Sequence, residues 1–208
     1  MGSQVQENEH QKDETFTLSN GADIPFRTIR PGDAPALQRV HSRCSERTIY
    51  LRFFGSLEEL SDEKAQYFSS TDGIDHFALV ALDPEDPNEI IAVVRYDREP
   101  DGERAEYAAL VEDRWQAHGV GAELTRQLIS QARDKGVKFF YALVKGGNKR
   151  MLNILRHLDL PEQERQEHGE HQLPGRARVW GDPTTGEHCL QDSETRNSER
   201  DPLRLTSQ

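Results

Sequence analysis

Two glycines stand directly before an amphipathic segment in the stretch WQAHGVGAELTRQLISQARDKG, residues 115–136. The first turn of a helix leaves its backbone N–H groups without partners and carries the positive end of the helix dipole. Glycine lets an anionic group such as a phosphate approach that backbone closely. Gly119 and Gly121 therefore indicate an anion site at a helix start, with an ordinary tight turn as the alternative.

Glu106 is the second residue whose type points to chemistry. It lies in AEYAALV (105–111), an apolar segment in which alternation places it on one face with Ala108 and Leu110. A carboxylate in a central strand is unfavourable unless it is paired, hydrated or used. Burial makes a carboxylate a stronger base, which suits it to accept a proton from an ammonium group. The alternative is a solvated strand start near Arg104.

Strand, glycine turn and helix also describe a dinucleotide-binding unit, but two of its marks are missing. Leu124 stands where a third glycine would be, and residues 136–145 contain no Asp or Glu to bind a ribose. Neither glycine cluster is followed by the GK[ST] of a mononucleotide phosphate loop. Nicotinamide, flavin and P-loop chemistry are therefore disfavoured.

The elements that position these residues follow from the apolar patterns. Helical periodicity predicts four helices, two of them capped by Asp33 and Ser61. The other two are the helix that begins near Gly121 and a last one after Asn148. Short apolar runs predict strands at residues 26–30, 76–82, 89–96, 105–111 and 137–144. This order predicts an α+β (α/β) fold, with a mixed, mostly antiparallel central sheet flanked by helices on both faces.

The polar residues are concentrated at the two ends of the 208-residue chain, where few side chains could join a core. We therefore expect disordered tails at residues 1–22 and 183–208. One domain is expected at residues 23–182. Its last part, residues 161–182, shows almost no apolar alternation, so either a poor hairpin forms there or the sheet is incomplete.

A formal net charge of −11 disfavours a general nucleic-acid binder and permits basic partners. No run of about 18 apolar residues occurs, so no membrane span or membrane partner is expected. Two distant cysteines, Cys44 and Cys189, and the lack of an apolar signal core indicate a cytoplasmic protein. Cys44 falls in register with a helical apolar face and is expected to be a core residue. The irregular spacing of His168, His171, His188 and Cys189 predicts no metal site.

Three pieces of the chain carry a family resemblance: SERTIYLRFFG (45–55), AEYAALVEDRWQAHGVG (105–121) and NKRML (148–152). In order and spacing they resemble the GCN5-related N-acetyltransferases (GNAT), whose [RQ]-x-x-G-x-[GA] motif matches residues 116–121. The resemblance extends over about residues 26–160. It is closer still to the acetyltransferase domain of bacterial Pat-type protein lysine acetyltransferases.

The resemblance implies acetyl-CoA as co-substrate and an amine, such as a protein lysine, as acceptor. It places Glu106 as the catalytic base and the backbone of Leu110 and Val111 against the pantetheine arm. It also places Asn148 near that arm, although by its residue type alone Asn148 is a helix cap. Trp115 matches the family pattern, and packing is its expected role. The resemblance assigns the pyrophosphate to Gln116, Ala117, His118, Gly119, Val120, Gly121 and Ala122.

The chain departs from the family pattern at several positions. Leu155 stands where many members have a general-acid tyrosine. The Pat-type domains lack this tyrosine as well, so its absence supports that subclass. His118 stands where an arginine is common. Leu158-Asp159-Leu160 replaces the usual Leu-Gly-Phe. These departures leave two alternatives, an acyl-CoA-binding or sensing module without turnover and a structural domain that has lost its ligand. The sequence does not specify the acceptor, the acyl chain length or the oligomeric state.

Overall fold

A computed structural model of the chain describes residues 13–145, 148–156, 162–167 and 175–181, with side chains for residues 13–145 and 148–154. Within these ranges the chain forms eight strands and five α-helices. The strands are β1 (Glu14–Thr17), β2 (Asp23–Thr28), β3 (His76–Leu82), β4 (Ile90–Arg98), β5 (Arg104–Val111), β6 (Phe139–Lys145), β7 (Glu162–Glu167) and β8 (Gly175–Gly181). The helices are α1 (Ala34–Arg43), α2 (Glu46–Phe53), α3 (Asp62–Ser69), α4 (Val120–Asp134) and α5 (Lys149–Arg156).

The strands form one sheet in the order β1-β2-β3-β4-β5-β6-β8-β7. Each neighbouring pair is antiparallel except β5 and β6, which are parallel. A parallel neighbour needs a crossover connection, and α4 supplies it. The predicted mixed, mostly antiparallel sheet is confirmed.

Helices cover both faces of this sheet. On one face α4 buries Leu124, Leu128 and Ala132 completely, at the helical spacing that the sequence predicts. On the other face α1 and α3 bury apolar residues against β3 and the start of β4. Each fully buried Leu or Val stabilises the fold by about 2 kcal/mol relative to an exposed one.

Helix starts follow the predicted capping with one exception. The hydroxyl of Ser61 accepts from the backbone N–H of Lys64 at 3.3 Å, as expected for the cap of α3. Asp33 does not cap α1, so that prediction is wrong. Its buried carboxylate instead accepts from both Arg27 Nη atoms, at 2.7 and 2.9 Å, and from the N–H of Arg30 at 2.7 Å. A bidentate ion pair satisfies the carboxylate better than a cap would.

The N-terminal boundary also differs from the prediction, because residues 14–17 form the edge strand β1. Phe16 and Leu18 are only 6% exposed and belong to the core beneath α4. Phe16 lies between two threonines and is followed by a Ser-Asn-Gly turn, a pattern that is typical of a strand and a turn. The polar composition of residues 1–22 as a whole led to the prediction of disorder instead. The disordered tail cannot reach residue 22; residues 1–12 and 183–208 lie outside the described residues.

At the other end of the chain, the backbone of β8 pairs antiparallel with β6, and β7 pairs with β8. The sheet therefore continues past β6 through residues 162–167 and 175–181, where the sequence left a poor hairpin or an incomplete sheet open. Among the described residues, no helix is long and apolar enough to cross a membrane.

We predict that Phe16→Ala lowers the free energy of unfolding by about 3 kcal/mol, because it leaves a cavity under an edge strand. Thr15→Ala, the same kind of truncation at the exposed neighbouring position, serves as control. Urea unfolding followed by circular dichroism measures both. Equal, small effects of the two substitutions would show that β1 does not pack on the domain.

Candidate functional site

The parallel pairing of β5 with β6 is short. It joins residues 104–106 to residues 139–141 and stops there, while β5 continues to Val111 and β6 to Lys145. A cavity of about 580 Å³ opens where the pairing ends. Residues 106–111 of β5, from both faces of the strand, line this cavity, which is expected when a strand edge rather than a sheet face borders the space.

The cavity brings together ten of the eleven residues singled out from the sequence. Val120 is the exception, because its side chain is completely buried in the core beneath α4. The ten lining residues are Glu106, Leu110, Val111, Gln116, Ala117, His118, Gly119, Gly121, Ala122 and Asn148.

The loop before α4 presents backbone N–H groups at one end of the cavity. Gly119 is the residue before the helix and has φ +94°, and Ala117 has φ +63°. For the backbone N–H groups of residues 117–122, no acceptor occurs in the described part of the chain. With the positive end of the α4 dipole behind them, these groups form a place where an anion is favoured.

The side chain of Gln116 fixes this loop. Its Nε2 donates to the carbonyl oxygen of Val111 at 2.7 Å and to Thr48 Oγ1 at 3.1 Å. Its Oε1 accepts from Nη1 of Arg150. One amide thus joins the end of β5, helix α2 and helix α5 around the cavity, and it brings the Arg150 guanidinium beside the glycine loop.

Asp113 holds the start of α2 against the same loop. Its carboxylate accepts from the N–H of Ser45 at 2.8 Å, from Ser45 Oγ at 2.9 Å and from Thr48 Oγ1 at 2.9 Å. Burial alone would raise the pKa of Asp113, but these hydrogen bonds outweigh it and hold the pKa below its usual range. The wall that α2 contributes to the cavity therefore depends on an ionised Asp113.

Gly121 is required for packing. A Cβ at this position would lie 3.0 Å from Ile154 Cδ1 and 3.2 Å from Val111 Cγ2. The glycine lets α4 approach α5 and the end of β5 closely. Gly121 lines the cavity, but a side chain at this position would point toward Ile154 and Val111.

Asn148 and Trp115 have the structural roles that their residue types suggest. Asn148 Oδ1 accepts from the N–H of Met151 at 3.1 Å and caps α5. Trp115 is half-buried and packs against the core. Cys44 lies just past the end of α1, where burial raises the pKa of its thiol to about 12, so the thiol is not an activated nucleophile.

Glu106 lies at the opposite end of the cavity from the glycine loop. It is half-buried, and its neighbours across the sheet are Asp97 on β4 and Tyr141 on β6. At about 3.3 Å per residue, the five steps from Glu106 to Val111 span roughly 17 Å. The cavity thus has the glycine loop at one end and a carboxylate at the other, joined by the edge of β5 that has no strand beside it in the described part of the chain.

The side walls of the cavity consist of residues that no motif in the sequence marked individually. Helix α2 supplies Thr48, Leu51 and Arg52, helix α5 supplies Arg150, and the β1–β2 turn supplies Ser19 and Asn20. The only available signal was that two of the three family-like pieces, residues 45–55 and 148–152, contain the α2 and α5 positions. The side chain of Leu155 and residues 168, 171, 188 and 189 lie outside the described residues. Within those described, no group of three metal-ligating residues occurs.

Comparison with known proteins matches this chain to acetyltransferases. A sequence model of the Acetyltransferase (GNAT) family matches residues 41–159, more than half of the chain. The acetyltransferase PA5475 of Pseudomonas aeruginosa is 27% identical over 139 residues, which are 66% of this chain and 75% of that protein. The acetyltransferase Pat of Mycolicibacterium smegmatis is 33% identical over 138 residues, which are 64% of this chain but only 40% of that longer protein.

Solved structures give the same result. The GNAT domain of S. lividans PAT superposes with a TM-score of 0.70 at 27% identity, covering 81% of this chain and 96% of that one. The structure of yncA from Salmonella typhimurium, solved with its cofactor acetyl-CoA, has a TM-score of 0.60 at 16% identity. It covers 82% of this chain and 98% of that one, and at this identity it shares the fold.

We predict that Asp113→Asn lowers the free energy of unfolding by about 1–2 kcal/mol at pH 7, because an amide accepts fewer of the three hydrogen bonds. Since the folded-state pKa of Asp113 is low, its stabilisation is present above the unfolded-state pKa and is lost as the pH falls through the folded-state pKa. The difference in the free energy of unfolding between variant and wild type should therefore become smaller at acidic pH. Asp134→Asn, at an exposed aspartate, is the control for urea unfolding at several pH values. A difference that is constant with pH would contradict this role.

Proposed function

The chain belongs to the Acetyltransferase (GNAT) family of acyltransferases, and we propose that it transfers an acetyl group from acetyl-CoA to an amine, specifically the side chain of a protein lysine. Glu106 is the general base in this proposal. The observation that carries it is one cavity that has, at one end, backbone N–H groups with no acceptor among the described residues and, at the other end, the Glu106 carboxylate.

The glycine-loop end suits the pyrophosphate of acetyl-CoA. The N–H groups of residues 117–122 and the positive end of α4 favour a doubly charged anion, and the Arg150 guanidinium lies beside them through Gln116. In this proposal Val120 contributes its backbone only, since its side chain is in the core. Asn148 lies in the cavity wall near the pantetheine arm in addition to capping α5.

The free edge of β5 suits the pantetheine arm. Leu110 and Val111 pair with β4 on one side. On their other side, no strand pairs with β5 beyond Glu106 in the described part of the chain. An amide-containing arm laid along this edge can form the hydrogen bonds that a neighbouring strand would form. One N–H of the 110–111 segment then stabilises the oxyanion of the thioester carbonyl.

The acceptor approaches from the Glu106 end. Leu110 is four residues from Glu106, roughly 13 Å along the strand, so the amine and one bridging water fit between the carboxylate and the thioester. The acceptor ammonium loses one proton to Glu106, and the neutral amine attacks the thioester carbon. A C–N bond forms, and the C–S bond breaks with its electron pair going to sulfur. The second proton of the amine ends on the thiolate, giving CoA thiol.

A protein lysine is the proposed acceptor because the chain is similar to Pat of M. smegmatis and to the GNAT domain of S. lividans PAT. A net charge of −11 also favours the approach of basic surfaces. The reducing cytoplasm is the proposed location, in keeping with two distant cysteines of which Cys44 has an unactivated thiol.

We predict that Glu106→Gln lowers kcat by about a hundredfold or more, because a positioned base contributes about 10²–10⁴-fold. Affinity for acetyl-CoA should be unchanged, and activity should partly recover at high pH, where more of the acceptor amine is already neutral. Release of CoA thiol with lysine-containing peptides measures turnover, and calorimetry measures acetyl-CoA binding. Glu103→Gln, at an exposed residue of the β4–β5 turn, is the matched control.

Two outcomes would contradict the proposal in different ways. Turnover by Glu106→Gln that matches wild type at every pH would remove Glu106 from the mechanism. Acetyl-CoA binding by the wild type without thiol release for any amine would identify a sensing module instead of a transferase.

A further inference from the structure

Tyr141 stands beside Glu106 on the neighbouring strand, in the last residue pair that β5 and β6 form. The residues on either side of Tyr141, Phe140 and Ala142, are buried in the core beneath α4. The residues on either side of Glu106, Ala105 and Tyr107, are buried in that same core. Because side chains alternate along a strand, Tyr141 and Glu106 both project from the opposite face of the sheet.

The hydroxyl of Tyr141 donates a hydrogen bond of 2.5 Å to Glu99 Oε1. Glu99 follows the end of β4, so this bond passes over β5 close to Glu106. Burial raises the pKa of Tyr141, and the negative charges of Glu106 and Glu99 raise it further. The phenol therefore stays neutral and keeps both a proton to donate and a lone pair to accept one.

Glu99 borders solvent, whereas Glu106 faces the cavity. Glu99 begins the β4–β5 turn. The N–H of Glu99 donates to the carbonyl of Arg104 at 2.8 Å, and the carbonyl of Glu99 accepts from the N–H of Gly102 at 2.9 Å. The tip of this turn, which includes Asp101 and Glu103, is exposed. A proton that reaches Glu99 can therefore leave to bulk water.

We propose that Tyr141 and Glu99 form the path by which the proton that Glu106 takes from the acceptor leaves the site. The inference rests on the proposed function. Acetylation of an ammonium ion releases two protons, of which one ends on the CoA thiolate and one must reach solvent. The protonated Glu106 gives its proton to the Tyr141 oxygen, directly or through one water, while the Tyr141 proton moves to Glu99. Glu99 then releases a proton to solvent, and rotation of the hydroxyl restores the starting state.

Asp97, the neighbour of Glu106 on β4, is a poorer member of such a path. Its carboxylate accepts from Arg95 Nη2 at 3.0 Å and contacts His76 Nδ1 at 2.7 Å. Burial would raise its pKa, but the Arg95 charge and the hydrogen bonds from Arg95 and His76 hold it below its usual range. A carboxylate held this firmly in its ionised form accepts a proton less readily. On β5, the guanidinium of Arg104 pairs with Asp101 at 2.5 Å, and a guanidinium stays protonated at neutral pH, so it cannot accept the proton.

The test uses Tyr141→Phe and Glu99→Gln in the full chain, with CoA thiol release measured at low and at high concentration of imidazole buffer. Each variant should lower kcat by about tenfold at low buffer, less than the full contribution of the base. Imidazole should restore most of the loss, because a mobile buffer can carry the proton that the severed path no longer carries. Affinity for acetyl-CoA, measured by calorimetry, should match wild type. Tyr67→Phe, at an exposed tyrosine of α3, is the matched control and should change nothing.

A loss that imidazole does not restore would mean that the Tyr141–Glu99 hydrogen bond is a structural tie, and it would overturn the path. So would wild-type kcat in both variants at every buffer concentration. Glu106→Gln separates this failure from that of the proposed function. If Glu106→Gln is inactive while Tyr141→Phe equals wild type, the base stands and only the path is wrong. If Glu106→Gln is itself fully active, the proposed base fails first.

Discussion

The separation of β5 from β6 is the constraint on which the site depends. Hydrogen-bonded strands lie about 4.8 Å apart and leave no space between them, so a cavity inside a sheet requires that pairing stop. Here it stops after three residue pairs. The cost is a strand edge in the middle of the molecule whose backbone groups have lost their neighbour. Gln116 satisfies one of them, the carbonyl of Val111.

Polar side chains at the rim hold the separated strands in place. Asp113 fixes the start of α2, and Gln116 links α2, β5 and α5 through Thr48, Val111 and Arg150. These contacts are hydrogen bonds within the protein itself, so the cavity walls are preorganised before any ligand binds. Backbone N–H groups at the start of α4 lie at one end of the cavity, the edge of β5 runs along it, and the Glu106 carboxylate lies at the far end.

The parts of this architecture that follow local patterns could be predicted from the sequence. The apolar runs gave five of the strands, and the glycine pair and Glu106 fall in the cavity as their residue types suggested. Contacts between distant residues could not be predicted: Thr48 and Gln116 are 68 positions apart, and no periodicity connects them. Asp33 forms an ion pair with Arg27 instead of capping α1. This could not be predicted either, because Arg27 lies on another element, strand β2. Strand β1 was missed because a polar average over residues 1–22 outweighed the alternation around Phe16.

Calorimetric titration of acetyl-CoA into Ala122→Asp is the sharpest test of the proposal that the start of α4 binds the pyrophosphate of acetyl-CoA. Ala122 is the third residue of α4 and lines the cavity. An acid in the first turn of a helix stabilises folding by about 0.3–1 kcal/mol, but here it would repel the phosphates. We expect thermal stability to be kept and affinity to fall at least about tenfold, or 1.4 kcal/mol, relative to Ala122→Asn, which has the same size without the charge. Equal affinity of the two variants for acetyl-CoA would contradict the assignment of this helix start as the anion site.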